Sequence, residues 1–395
     1  MTLRRSLALV HRYSGLLLLV FVLISASTGS LLVFSHEIDR WLNTGLLRVA
    51  VPADGRSRPY AEQLAAAVAS QADEPEAWQP VSLIPGRHVD GATGVLFRHP
   101  DPTRTDGFFW RQVLVDPYTA RVLGQRERTR LSADRPGLMN LISEVHGKLL
   151  LGDAGRRCFG IVAIVWLLSL PLGLFLWWPG RGKLRLGLTV RRDLGPARRN
   201  FDLHRVAGFY SAPVIAAVTL SGIYMAWPGE VRQLVGTVLA VDGNVAPKMP
   251  LADGPAQIDA DAALRVARNV FADGELRRIG LPRRPGDAYA VSIRLPGEVR
   301  RPSTARSTVW VDSRDGRPLK VYDAARAAAG DTYLDWQTPL HTGSAFGLPG
   351  RIAVALGGLA AVLGCISGFL VWRRRSAAGR RPASEFFSRT RKAPR

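Results

Sequence analysis

Hydrophobic residues are concentrated in four long runs, and polar, arginine-rich stretches separate them. An α-helix needs about 20 apolar residues to cross a hydrocarbon core of roughly 30 Å, and each run reaches that length. None of the four runs contains a charged residue. The pattern therefore predicts four transmembrane helices, over residues 13–35, 158–178, 206–227 and 352–372.

Basic residues between the runs lie mainly on one side of the predicted membrane. Segments 1–12, 179–205 and 373–395 together carry 20 Lys and Arg but only three acidic residues. Because cytoplasmic loops carry an excess of Lys and Arg, these segments and both termini are predicted to be cytoplasmic. The net charge of +21 then indicates topology and attraction to anionic lipid, with no nucleic-acid partner.

The two halves of the chain match at an offset of 193 to 195 residues. Corresponding runs have the same predicted orientation, which indicates two parallel repeats related by an axis along the membrane normal. The matches include Val-His-Arg at 10–12 with Leu-His-Arg at 203–205, Thr28-Gly29 with Ser221-Gly222, His146 with His341, and Gly173 with Gly368.

Each outward segment repeats one pattern, a short helical stretch followed by β-type alternation with turn residues. The helical stretches are 61–71 and 259–271, and the hairpin-like stretches are 109–123 and 308–322. The predicted fold is an α-helical four-span bundle with two small α+β modules on the outer face. Its parts are span 1 (1–35), outer module 1 (36–145), span 2 with a preceding His segment (146–178), a basic loop (179–205), span 3 (206–227), outer module 2 (228–340), span 4 with a preceding His segment (341–372) and a basic tail (373–395).

Four of the seven histidines obey the repeat, and each borders a span. His11 and His204 are predicted at the cytoplasmic end, and His146 and His341 at the outer end. Ionisable residues at membrane depth are candidates for function, although a single one is also a common interfacial residue. His36, His88 and His99 break the repeat and are predicted to have no part in the site.

Under the twofold relation, the two histidines of each pair face each other across the bundle. Two imidazoles converging between helices suit the two axial positions of one haem iron. Zinc fits less well, because it takes four ligands and each level offers two. The two cysteines form no Cys-x-x-Cys-His motif, so attachment would be non-covalent. Gly15 and Gly208 would leave room for a porphyrin face, while Gly29 and Gly222 serve either that purpose or helix packing.

Four arginines accompany the histidines in both halves and are possible partners of haem propionates. Ordinary anchors at the span boundary are the alternative for them. They are Arg12 and Arg205, directly after the inner histidines, and Arg156 and Arg351, ten residues past the outer ones.

These residues resemble the PepSY-associated transmembrane family. The resemblance rests on Val/Leu-His-Arg-x-x-Gly opening a span that closes with Thr/Ser-Gly, on His146-Gly-Lys-Leu-Leu-Leu-Gly before a span ending Leu-Trp-Trp-Pro-Gly, and on Val-Asp-Pro-Tyr-Thr. It departs at Asp312-Ser-Arg-Asp-Gly, where an Asp-Pro-x-Thr-Gly turn is expected. That family includes iron-regulated proteins of the bacterial inner membrane and ferric-siderophore reductases that carry two b-type haems.

The resemblance implies an enzyme, a haem-dependent ferric-siderophore reductase that releases Fe(II) outside the membrane for uptake. No catalytic residue separate from the haem ligands is predicted. With no Gly-x-Gly-x-x-Gly motif in the cytoplasmic segments, a quinol or a separate cytoplasmic reductase would be the electron donor. Two other functions stay open, a membrane-anchored binding protein with structural histidines and a haem or metal transporter. The acceptor and the oligomeric state do not follow from the sequence.

Overall fold

The computed structural model describes residues 2–72, 78–99, 110–127, 131–178, 183–191, 193–247, 257–284, 286–301 and 304–378. The predicted tail beyond residue 378 therefore lies outside the described residues. The helices are α1 (Leu3–Leu32), α2 (Ser35–Leu42), α3 (Thr44–Leu47), α4 (Tyr60–Ala69), α5 (Leu138–Lys148), α6 (Gly152–Trp177), α7 (Leu184–Gly187), α8 (Gly195–Ala226), α9 (Pro228–Gly236), α10 (Ala260–Val270), α11 (Ala329–Thr342) and α12 (Gly347–Ala378).

Among the described residues, four helices are long and apolar enough to cross a membrane: α1, α6, α8 and α12. They cover the four predicted runs except for the last one to three residues of the first three. Helices α1 and α8 start earlier than predicted, because helical hydrogen bonding continues through polar residues where hydropathy has already fallen. His11 and His204 consequently lie within α1 and α8 and not before them. The outer histidines lie on separate helices, His146 on α5 and His341 on α11.

The four spanning helices share one small apolar core. Leu18 and Val22 of α1 pack with Val162 of α6, Ile215 of α8 and Ala361 of α12. The outward sides of the same helices expose large apolar side chains, which is the arrangement that lipid contact requires. Such side chains include Leu17, Leu168, Leu220 and Leu356.

The strands form a single antiparallel sheet of eight. They are β1 (Gln79–Ile84), β2 (Thr93–Arg98), β3 (Trp110–Val115), β4 (Val122–Glu127), β5 (Glu275–Gly280), β6 (Ala288–Arg294), β7 (Thr308–Asp312) and β8 (Pro318–Tyr322). Their order is β4-β3-β2-β1-β5-β6-β7-β8. Each half of the chain contributes a four-strand meander, and the halves join where Leu83 pairs with Ile279. The outward segments therefore share one sheet, where two separate modules were predicted.

The two faces of this sheet have different neighbours. One face packs on α4 and α10, where Ala67 and Ala263 meet fully buried side chains such as Phe97 and Ile279. The other face meets elements next to the spans. On that side Arg126 of β4 binds Asp39 of α2 at 2.8 Å. The second face of the sheet thus looks toward the outer ends of the spanning helices.

Candidate functional site

The four repeated histidines form two pairs, one at each end of the bundle. The rings of His11 and His204 have centroids 6.3 Å apart and planes inclined at 59°. Those of His146 and His341 have centroids 6.1 Å apart, with the same inclination of 59°. Each pair joins one histidine from each half of the chain, so two levels of matching geometry lie along the bundle.

A glycine of a neighbouring spanning helix lies against each imidazole. A Cβ built on Gly173 or Gly29 would lie 2.9 Å from Cε1 of His11 or His146, respectively. A Cβ built on Gly368 would lie 3.0 Å from Cε1 of His204. One built on Gly222 would lie 3.3 Å from Cε1 of His341. Any larger residue would push the ring away. For Gly29 and Gly222 the sequence left open room for a porphyrin face or helix packing; the structure instead shows them against the histidine rings.

Every ring is oriented by a hydrogen bond at Nδ1. Three of the rings face a backbone carbonyl oxygen, which only accepts, so Nδ1 carries the proton and Nε2 keeps a free lone pair. His204 donates to Gly364 O at 2.8 Å, His146 to Ser25 O at 3.0 Å and His341 to Val218 O at 2.9 Å. His11 instead bonds Ser169 Oγ at 2.9 Å, a hydroxyl that serves as donor or acceptor.

The outer pair is held in the neutral form that ligates metals. Burial, with a smaller contribution from His341, lowers the pKa of His146 to about 4. Burial also lowers the pKa of His341. Both rings are therefore uncharged at neutral pH, with the Nε2 lone pairs available.

The spacing of each pair fits one metal ion between two imidazoles. If Nε2 of each ring pointed at one metal ion on the line between the rings, two metal–nitrogen bonds of about 2.0 Å, plus about 1.1 Å from each nitrogen to its centroid, would place the centroids about 6.2 Å apart. The observed separations of 6.3 and 6.1 Å agree with that value. The residues present at both levels thus fit a bis-histidine centre such as a b-type haem.

A cavity of about 500 Å³ surrounds the inner pair. Its walls come from all four spanning helices and are mainly apolar. Gly15 and Gly208 line it, and a Cβ on either would meet nothing within 4 Å. The two glycines therefore border open space beside the inner histidines, where room for a flat, apolar ligand was expected.

The four repeated arginines divide into two groups. Arg12 and Arg205 line the inner cavity, and Asp202 at 3.1 Å holds Arg205. Arg156 donates to Ala226 O at 2.9 Å, and Arg351 to Val33 O at 2.8 Å. Since these two oxygens belong to the outer ends of α8 and α1, the outer arginines serve as anchors of span ends. The inner pair alone is placed to reach a group in the cavity.

The three histidines that break the repeat belong to neither pair. His36 of α2 lies beside His88, with ring centroids 5.9 Å apart and planes within 10° of parallel. Burial and the nearby positive charge of Arg87 lower the pKa of His36 to about 4. His99 packs edge-on against Trp78 at 5.2 Å.

Sequence reasoning missed several residues that position the histidines. Thr28 Oγ1 lies 3.1 Å from Nδ1 of His146, and Ser221 Oγ lies 3.3 Å from Nδ1 of His341. The repeated Thr/Ser-Gly pair could have indicated these residues. Its Thr or Ser bonds the histidine ring, and its Gly leaves space for that ring. Ser169 had no such signal, because its counterpart at the repeat offset is Gly364, which binds its histidine through the backbone.

Four apolar spanning helices that carry an extramembrane sheet define a multi-pass membrane protein. The family model described as the PepSY-associated TM region matches residues 8–375, nearly the whole chain. The chain therefore belongs to the PepSY-associated TM region family, as its motifs predicted. The comparison with curated proteins gave no match.

Proposed function

We propose that this protein is a di-haem transmembrane electron-transfer protein of the bacterial inner membrane, built from two parallel repeats. Its acceptor would be Fe(III) held in a ferric siderophore on the outer side. One observation carries the proposal: two pairs of imidazoles with the same angle and with separations of 6.3 and 6.1 Å. A purely structural role for the histidines would not require this geometry to recur at both levels.

In this proposal the chain's own residues hold and orient the cofactors. His11 and His204 would bind the inner haem through Nε2, and His146 and His341 the outer one. Arg12 and Arg205 border the inner cavity, where a guanidinium suits a propionate. The glycines beside the rings and the acceptors at Nδ1 fix each imidazole before a ligand arrives. When bound, the haems supply one-electron transfer.

Reduction is a chemically sufficient way to release iron. Hydroxamate and catecholate oxygens are hard ligands, and they hold Fe(III) much better than Fe(II). One electron converts one Fe(III) to Fe(II). A quinol that gives up two electrons and two protons on the cytoplasmic side would therefore reduce two ferric ions.

Reporter fusions test the direction of this path. The excess of basic residues predicts that Gly187 lies on the cytoplasmic side and Ala240 on the outer side. An enzymatic reporter active only outside the membrane should thus be active at Ala240 and inactive at Gly187. Equal activity at the two positions would contradict the four-span topology.

Reoxidation of the reduced protein tests the acceptor. In vesicles with the outer face exposed, a membrane-impermeant ferric siderophore should reoxidise the reduced protein and release one Fe(II) per electron. The variant with both His146→Ala and His341→Ala should stay reduced under the same conditions. Protein that stays reduced with ferric siderophore, yet is rapidly oxidised by an unrelated impermeant acceptor, would overturn ferric reduction.

A further inference from the structure

A basic cluster lies between the sheet and the outer ends of α1 and α12. Its members are His36, His88, Arg40, Arg48, Arg87, Arg277, Arg294 and Arg351. His36 of α2 and His88 of the β1–β2 loop pack side by side at 5.9 Å. Arg87 precedes His88, and its nearest charged neighbours include Arg277, Glu37 and Arg351. The strand register explains why Arg87 lies near Arg277. Strands β1 and β5 pair antiparallel, so the end of β1 lies beside the start of β5.

Positive charge exceeds negative charge in this basic cluster. Asp90 binds both Arg40 and Arg48, Glu275 binds both Arg277 and Arg294, and Glu37 binds Arg351. With Arg87, six guanidinium groups face three carboxylates, and the neutral ring of His36 adds no charge. The excess of about three positive charges favours an anion.

Two groups of the basic cluster have unused hydrogen-bonding capacity. Among the residues that the structure describes, Arg87 has no carboxylate within ion-pairing distance, although Glu37 and Glu275 lie in its electrostatic range. Nε2 of His36 is buried, and no described residue gives it a hydrogen-bond partner. A buried nitrogen without a partner costs free energy, which a bound ligand would recover.

The chemistry of the basic cluster favours an anion over a metal cation as the ligand. Within the described part of the chain, no group of three or more His, Cys, Asp or Glu side chains is placed to hold a metal ion. The surrounding guanidiniums would also repel a cation. Guanidinium groups instead donate charge-assisted hydrogen bonds to carboxylate, catecholate or phosphate oxygens. The neutral ring of His36 donates an ordinary hydrogen bond when Nε2 carries its proton.

We propose that the cluster of His36, His88 and Arg87 binds an anionic ferric chelate at the outer end of the bundle. This inference rests on the proposed function and names the class of acceptor. His36 follows Gly29, which touches His146, by seven residues, and Arg351 follows His341 by ten. A chelate held here would lie at the same end of the bundle as His146 and His341. The phosphate of an anionic lipid presents similar oxygens at this depth, so the experiment separates the two sources.

Binding is measured with redox-inert Ga(III) complexes and the full chain in nanodiscs of zwitterionic lipid. The probes are a hexadentate tris-catecholate complex, which is trianionic, and a hexadentate tris-hydroxamate complex, which is neutral. The trianionic complex should bind more tightly. Because hydrogen bonds to charged groups contribute about 1.5–3 kcal/mol, Arg87→Gln should weaken its binding roughly ten- to hundredfold. His36→Ala should weaken it in the same direction.

Arg265→Gln is the matched control, because Arg265 is an exposed arginine on α10, at the opposite face of the sheet. It should leave the affinity unchanged. Equal affinity for the two complexes, or no effect of Arg87→Gln, would overturn the proposal. So would loss of co-purified phosphatidylglycerol from Arg87→Gln without any change in chelate affinity, which would assign the cluster to lipid. Ga(III) is not reduced, so binding is read independently of whether the protein carries haem or reduces iron.

Discussion

Replacing His11 or His204 with alanine is expected to remove the same haem, so that each variant keeps one haem of two. The double variant of His11 and His204 should also keep one, because residues that act as one unit are strongly non-additive. A variant that combines His11→Ala with His146→Ala should keep none. The reason is geometric: the close pairs join His11 to His204 and His146 to His341.

Haem per protein, measured after extraction, decides between the possible pairings. If each ligand pair lay within one half of the chain, the double variant of His11 and His204 would keep no haem. The double variant of His11 and His146 would then keep one. His88→Ala is the control and should keep both haems, since His88 is exposed and belongs to neither pair. Unchanged haem content in all four single variants would show that these histidines are not haem ligands.

Replacing a glycine that lies beside a histidine ring with alanine is expected to disturb the haem site to which that histidine belongs. A Cβ on Gly173 or Gly29 would lie 2.9 Å from its imidazole, so the ring or helix must shift. Overpacking of this kind costs about 1–3 kcal/mol, and a ligand site tolerates displacements of only about 0.5 Å. Gly173→Ala should therefore deplete the inner haem, and Gly29→Ala the outer one. Gly222→Ala, at 3.3 Å, should have the weakest effect.

Gly147→Ala is the matched control, because Gly147 follows His146 on α5 and a Cβ there would meet nothing within 4 Å. It should keep both haems with unchanged low-spin spectra. If Gly173→Ala and Gly29→Ala also keep both, the glycines do not set the positions of the rings. Optical spectra of each variant, oxidised and reduced, make the comparison.

The sequence predicted the spans well because lipid imposes a one-dimensional rule, a sufficient length of apolar residues. Helices and turns of the outer segments were also predictable from local signals. Asp259, for example, begins α10 by accepting a hydrogen bond from Ala262 N. The joining of two meanders into one sheet was not predictable. It depends on the pairing of Leu83 with Ile279, which are far apart in the chain and have no local signal for each other.

The candidate site shows the same division. The repeat indicated which histidines belong together, since both members of a pair carry matching neighbours. It could not show that Ser169 binds His11 through a side chain while Gly364 binds His204 through its backbone. Nor could it indicate the basic cluster, because Arg87 and Arg277 come together only through strand pairing. These contacts depend on the three-dimensional fold and cannot be predicted from spacing along the chain.

The most direct test of the account is the haem content and spectrum of the purified wild-type protein. Two haems per chain are predicted, both non-covalent and both low-spin, because each pair supplies two imidazole ligands to one iron. Reduction should sharpen the spectrum as expected for bis-histidine b-type haem at both sites. Protein that binds no haem when expressed with sufficient haem supply would contradict the electron-transfer function.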